Sequence, residues 1–287
     1  MKKKDMGVLS AIALALCVIS CGFLMLTGCG KDNSGTYTIT VVTEGGLALE
    51  EIGVYVYEDE DQSELENAAK TDKDGKASFE SEDAIGCVIT LRDVPAGYKV
   101  DTYKITEKDT TIVLKAELLA EDALDGVKFG LGDVFADMSV TSTDGTKYVI
   151  SELLKEKKAV VLNFWYLNCD PCRGEFPYLD EAYQQYKDEI ELIAVNPYDG
   201  TNETVAKYKE ELGLSIPMAA IDYKWHEHMQ ITAYPTTVVI DQYGTIALIH
   251  KGSVTETETF TTIFEYFTAE DYKQTTIRNV EDILKEK

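Results

Sequence analysis

Cys169 and Cys172 stand three positions apart, with Asp170 and Pro171 between them, directly after the near-continuous apolar run Ala159-Val160-Val161-Leu162-Asn163-Phe164-Trp165-Tyr166. Two thiols at that spacing close a disulfide reversibly when the first begins a helix, since one turn sets position i+3 beside position i. The unpaired N–H groups at a helix start, and the positive end of its dipole, favour a thiolate over a thiol at Cys169. Cys169 is therefore expected to attack a disulfide as the nucleophile, and Cys172, one turn inside the helix, to resolve the mixed disulfide that results. Asp170 sets a negative charge beside Cys169 and opposes that thiolate, which makes the dithiol a better reductant. Glu175 follows Cys172 by three residues, so a helix turns its carboxylate to the same face as the second sulfur.

Other uses of such a pair lack their partners. A zinc site needs further Cys or His ligands at short spacing, and the one close His pair, His226 and His228, reads as the outer face of a helix. Haem attachment needs His directly after the second Cys, where Arg173 stands. A peroxidase built on one reactive Cys usually carries Thr three residues before it, where this chain has Tyr166. No metal and no cofactor is expected. In Cys87-Val88-Ile89-Thr90-Leu91 the alternation puts Cys87 on the face of Ile89 and Leu91, as a small buried hydrophobe. Trp165 is expected beneath the active-site loop, among the residues that form the substrate-binding side, and Trp225 in a core.

The elements around the pair follow from periodicity. After Cys172 a helical stretch places Phe176, Leu179, Tyr183 and Tyr186 three to four apart, with Pro177 expected to kink it. A strand over Ile190 to Asn196, a helix over Glu203 to Leu212, and a hairpin of Thr236 to Ile240 with Thr245 to His250 complete a βαβα-ββα order. The first strand's unbroken hydrophobicity suits a sheet covered on both faces. This is an α/β unit, a central mixed sheet flanked by helices. Upstream, short β runs over Tyr37 to Thr43, Ile52 to Tyr57, Lys76 to Phe79, Cys87 to Leu91 and Thr110 to Leu114, separated by turn signals, predict a small all-β sandwich.

The chain has 287 residues, enough for about two domains. Its net charge of -24 argues against nucleic acid as a partner, since that affinity rests on Lys and Arg neutralising phosphates. Lys2, Lys3 and Lys4 followed by an apolar run from Met6 to Leu26 read as a signal peptide. The run is also long enough for an uncleaved membrane anchor, and either reading exports the rest. The expected divisions are 1–28 signal peptide, 29–35 tether, 36–116 β-sandwich, 117–126 linker, 127–268 α/β domain and 269–287 tail, the last a short helix or a frayed end.

Leu26-Thr27-Gly28-Cys29 resembles the lipobox of bacterial lipoproteins, which implies lipid attachment at Cys29 and a place on the outer face of the bacterial cytoplasmic membrane. Thr71-Asp72-Lys73-Asp74-Gly75-Lys76-Ala77-Ser78-Phe79 and Val94-Pro95-Ala96-Gly97-Tyr98 resemble Cna-B-type and carboxypeptidase-regulatory-like surface domains over roughly 80 residues. Asn163 through Pro177, with Ala194-Val195-Asn196 and Tyr234-Pro235-Thr236-Thr237, is similar to the TlpA/ResA-like family over about 140 residues. That resemblance implies a thioredoxin fold and thiol:disulfide oxidoreductase activity. It implies a cis-proline at Pro235 facing the disulfide, which leaves the backbone of Tyr234 free to pair with an extended substrate. Glu175 matches a Glu of the family that tunes proton transfer at the second Cys, while Asn163 stands where thioredoxins keep a buried Asp. The partners it implies are disulfides of exported proteins, apocytochrome c among them, and a membrane-embedded electron donor. A disulfide-forming oxidase stays open as the alternative, as does a surface adhesion or wall-binding module with an accessory redox domain.

Overall fold

The computed structural model describes residues 33–277 and 279–285. The expected signal peptide, the lipid attachment at Cys29 and the alternative anchor lie outside the described residues. Within those residues no helix is long and apolar enough to cross a membrane.

The N-terminal region is all β. Its strands are β1 (Gly35–Thr43), β2 (Gly53–Tyr57), β3 (Leu65–Lys70), β4 (Lys76–Ser81), β5 (Val88–Arg92), β6 (Tyr98–Lys99), β7 (Tyr103–Lys104) and β8 (Asp109–Ala116). They form two four-stranded sheets, in the orders β4-β1-β8-β6 and β3-β2-β5-β7. Strict alternation along β1 turns Tyr37, Ile39 and Val41 inward, where they share one core with Val54 and Val56 of β2 and Ile89 and Leu91 of β5. The rings of Tyr37 and Phe79 stack at 5.8 Å. Burial of each such side chain contributes about 1.5–3 kcal/mol. Cys87 is buried in this core, as the alternation predicts. Its Sγ donates to Glu66 Oε2 at 3.0 Å, and burial beside that carboxylate pushes the thiol up to about 12, which leaves it unreactive at neutral pH. β3 went unforeseen because Leu-Glu-Asn-Ala-Ala-Lys lacks an apolar alternation. It is an edge strand beside β2, with no fully buried residue to write one.

The C-terminal region opens with the hairpin of β9 (Ser139–Thr141) and β10 (Lys147–Val149), followed by α1 (Ile150–Leu153). Then come β11 (Ala159–Phe164), α2 (Asp170–Tyr186), β12 (Ile190–Asn196), α3 (Asn202–Leu212), β13 (Met218–Ala220), α4 (Lys224–His228), β14 (Thr236–Asp241), β15 (Ile246–Lys251), α5 (Thr257–Thr268) and α6 (Val280–Lys285). The sheet runs β13-β12-β11-β14-β15, with β11, β12 and β13 parallel and β14 and β15 antiparallel. This is the thioredoxin fold with its central mixed sheet. β11, β12 and β14 are buried along their whole length, because each face has its own cover. Ala159, Val161 and Trp165 pack with Phe176 and Leu179 of α2 and Phe260 and Phe264 of α5. Val160, Leu162 and Phe164 pack on the opposite face with Phe135, Met138 and Trp225.

The two regions are fastened together. The stretch expected as a linker is packed: Leu119 donates its N–H to Phe135 O at 3.0 Å, and Leu124 is buried. Val134 belongs to the N-terminal core, and Gly97, at φ +87°, lies so close to it that a Cβ there would sit 2.5 Å from Val134 Cβ. Residues 269–277 and 279–285 form a strap ending in α6, with Ile277, Val280 and Ile283 buried against the thioredoxin-fold core. Along that strap Gln274 donates its N–H to Gly45 O at 2.9 Å. The Gln274 side chain accepts from Thr43 Oγ1 and donates to Thr245 Oγ1 at 2.6 Å.

Candidate active site

β11 ends at Phe164 because the chain must leave the sheet to start α2 at Asp170. Cys169 is the N-cap of α2, where its Sγ accepts from Cys172 N at 3.1 Å. Pro171, in the first turn, has no N–H to lose there. Cys169 and Cys172 are joined in a disulfide with their Cα atoms 5.2 Å apart. Both are nearly closed off, at 2% and 0% exposure. What separates the two sulfurs is therefore their helix position rather than their access to solvent: Cys169 lies at the positive end of α2, and Cys172 lies one turn in.

α2 turns Cys172, Glu175, Phe176 and Leu179 to the core face and continues through Pro177. Glu175 is wholly buried. Its Oε1 accepts from Asn163 Nδ2 at 2.8 Å, and its Oε2 accepts from Val254 N at 2.7 Å. Desolvation outweighs those two donors and pushes the carboxyl up to about 7. A group titrating there can hold or release a proton at neutral pH, next along the helix face from Cys172. Asn163 is fixed by its cross-strand neighbour, donating also to Thr237 Oγ1 at 3.1 Å. Its Oδ1 is buried and without a hydrogen-bond partner among the described residues. The Val254 and Thr237 contacts were not legible in the sequence, since neither residue type announces a partner 79 or 74 positions away.

Tyr234–Pro235 is a cis peptide. Gly252 N donates to Pro235 O at 2.9 Å, which ties this loop to the end of β15. Tyr234 packs against the cluster that holds Cys169, Cys172 and Trp165. Trp165 itself corrects the expectation of substrate contact. It is fully buried and packs edge-on against Phe176 at 5.4 Å and tilted on Tyr208 at 4.9 Å, so it supports the loop from below. The histidine pair also differs from its reading as an outer helix face. His226 Nδ1 lies 2.8 Å from Tyr234 Oη, and His228 Nδ1 lies 2.8 Å from Val127 O. Trp225 is core, as expected.

A dithiol at the N-terminus of a helix, carried by a thioredoxin fold with a cis-proline loop, defines a thiol:disulfide oxidoreductase. Curated relatives carry the same description. Residues 131–249 match the AhpC/TSA family. The chain is 34% identical over 128 residues to the thiol-disulfide oxidoreductase ResA of Halalkalibacterium halodurans, covering 44% of this chain and 70% of that one. It is 29% identical over 129 residues to the thioredoxin-like protein YneN of Bacillus subtilis, covering 44% and 75%. Among solved structures, a putative protein disulfide isomerase from Bacteroides thetaiotaomicron aligns at 22% identity with a TM-score of 0.44, over 49% of this chain and 91% of that one. The chain belongs to the ResA family of thiol-disulfide oxidoreductases, and the match to the AhpC/TSA family begins at residue 131, after the all-β region.

Proposed function

We propose that this protein is a membrane-tethered reductase of disulfides in exported proteins, working through Cys169 and Cys172 on the outer face of the bacterial cytoplasmic membrane. The Cys169 thiolate attacks one sulfur of the substrate disulfide, and the other sulfur leaves as a thiolate that takes up a proton. Cys172 then gives up its proton, with Glu175 as the acceptor, and attacks Cys169 Sγ. The second substrate sulfur leaves, and the Cys169–Cys172 disulfide closes. Two electrons pass to the substrate, so a dithiol donor must restore the pair, and the reading assigns that task to a membrane-embedded partner. An extended substrate segment lies beside Tyr234 and Pro235. Cys29 carries the lipid, a short tether follows it, and the all-β domain from β1 onward lifts the site from the membrane. Apocytochrome c is within the substrate class.

The observation that supports this reading most is the disulfide at the N-cap of α2 above a buried carboxyl poised near neutrality. Asp170, exposed in the first turn, favours the reducing direction by opposing the Cys169 thiolate. The test is to mix the reduced protein with a disulfide-bonded protein substrate in anaerobic buffer and count thiols on both. One substrate disulfide opened for each Cys169–Cys172 disulfide closed supports the reductase. A protein that stays reduced beside an intact substrate disulfide sinks it and favours the oxidase. Mass spectrometry of the mature N-terminus separately tests the lipid on Cys29.

A further inference from the structure

Four tyrosines and a histidine close a ring beside the disulfide. Tyr166 lies against Tyr198 at 5.9 Å, Tyr198 against Tyr223 at 6.3 Å, and Tyr223 stacks on His226 at 4.8 Å. His226 stacks on Tyr234 at 6.0 Å, and Tyr234 meets Tyr166 edge-on at 5.2 Å. The ring adjoins the chemistry at two points. Tyr166 O accepts the Cys169 N–H at 3.2 Å, and Tyr234 immediately precedes the cis-proline.

Tyr198, in the bend after β12, is 61% exposed, and Tyr223, the N-cap of α4, is 45% exposed. Tyrosines held rigid and left open at a protein surface are a common composition of recognition sites, because they offer large contact area at small entropic cost. A carboxylate stands at the ring. Asp199 is held there by two donors, Leu167 N at 2.9 Å and Asn196 Nδ2 at 3.1 Å, both to Oδ1. Its Oδ2 accepts no hydrogen bond among the described residues. Burial, the neighbouring tyrosines and the Asp199 carboxylate together hold the Tyr234 phenol above its ordinary range. The faces of tyrosine rings are electron-rich and attract cations, and a carboxylate at the rim adds to that attraction.

From this geometry we infer that the ring of Tyr166, Tyr198, Tyr223, His226 and Tyr234, with Asp199 at its edge, is a specificity subsite that takes a basic side chain, Arg or Lys, lying close to the substrate cysteine. The inference rests on the reductase reading above and deepens it by naming which disulfides are taken first: those flanked by positive charge. An acidic protein of net charge -24 also draws such substrates from a distance.

The test uses four peptides that share one intramolecular disulfide and differ in a single residue two positions from the first cysteine: Arg, Leu, Trp or Glu. Their reduction by the protein is followed under a constant supply of small dithiol, and kcat/KM is compared. The Arg peptide is expected to exceed the Leu peptide by about 3- to 10-fold, from the range of cation–aromatic attraction. That ratio should shrink in high salt and fall below about twofold in Tyr223→Leu and in Asp199→Asn, the second of which keeps the acceptor for Leu167 N. Equal rates on all four peptides, a preference for Leu or Trp, or an Arg preference untouched by both substitutions overturns the inference while the reductase reading stands. No turnover of any peptide by the unsubstituted protein overturns the reductase reading itself, and the inference with it.

Discussion

At the scale of single residues, Glu175 decides most. Its carboxyl is raised to about 7 in the folded protein, against an ordinary value near 4.5. The folded state therefore binds a proton that the unfolded chain has released between those two pH values. Stability is full below the unfolded value and falls as pH rises through the folded one, by roughly 3 kcal/mol in total. Asp241, raised to about 6 by burial, adds a loss of the same sign. We expect denaturant unfolding of the oxidised protein to weaken from pH 5 to pH 8, and Glu175→Gln to flatten that slope, leaving the part owed to the other carboxyls that burial raises, Asp241, Glu191 and Asp133. An identical slope in both proteins contradicts the assignment. A second expectation belongs to Cys172: Cys172→Ser should accumulate the mixed disulfide on Cys169, seen as a covalent adduct with substrate on non-reducing gels. The sequence made the placement of Cys169, Cys172 and Glu175 legible because it follows from spacing along one helix. It did not reveal Val254 or the ring around Tyr234, whose members meet only through the fold.

At the scale of elements, the site is a product of β11, α2 and the loops that flank β14 and β15. β11 reaches the site as an unbroken apolar strand, and both its faces are covered, which is why its sequence shows no alternation and could still be read as a strand. Asn163 is the one polar break in that run, and it spends its amide on Glu175 and Thr237. Asn163→Asp would set a second carboxylate within hydrogen-bond distance of the first. We expect it to destabilise the protein by roughly 2 kcal/mol or more above pH 8, and much less at pH 5, where one proton is shared. Equal loss at both pH values would mean that Asn163 matters by its shape alone. The strands that escaped the sequence reading, β3, β9 and β10 among them, are short or lie at sheet edges. Few of their residues are buried, so the pattern that betrays a strand was never imposed.

At the scale of the whole molecule, the all-β region is fixed to the thioredoxin-fold region rather than strung from it. Gly45 lies close against the strap: a Cβ there would lie 2.3 Å from Gln274 Cβ and 2.6 Å from Tyr243. The strap carrying Gln274 crosses from one region to the other and ends in α6. We expect the two regions to unfold in one cooperative transition, followed by far-UV circular dichroism and by tryptophan fluorescence, both tryptophans lying in the thioredoxin-fold region. Gly45→Val should split the two probes; coincident curves in that variant would show that the strap does not couple the regions. The sequence foretold an all-β region ahead of the α/β region but not this joint, because Thr43, Gly45, Thr245 and Gln274 carry no shared pattern. On the proposed reading, a rigid joint lets the all-β region act as a spacer that sets the height and aim of the disulfide.

The central claim is that the Cys169–Cys172 pair donates electrons, and its equilibrium reduction potential tests that most directly. The measurement is made on the chain from residue 33 onward in a series of thiol buffers, with the free thiols counted at each poise. A value at or below roughly -270 mV, the range of thioredoxin, is what the account predicts, and a value near about -120 mV, the range of a strong disulfide donor, would contradict it.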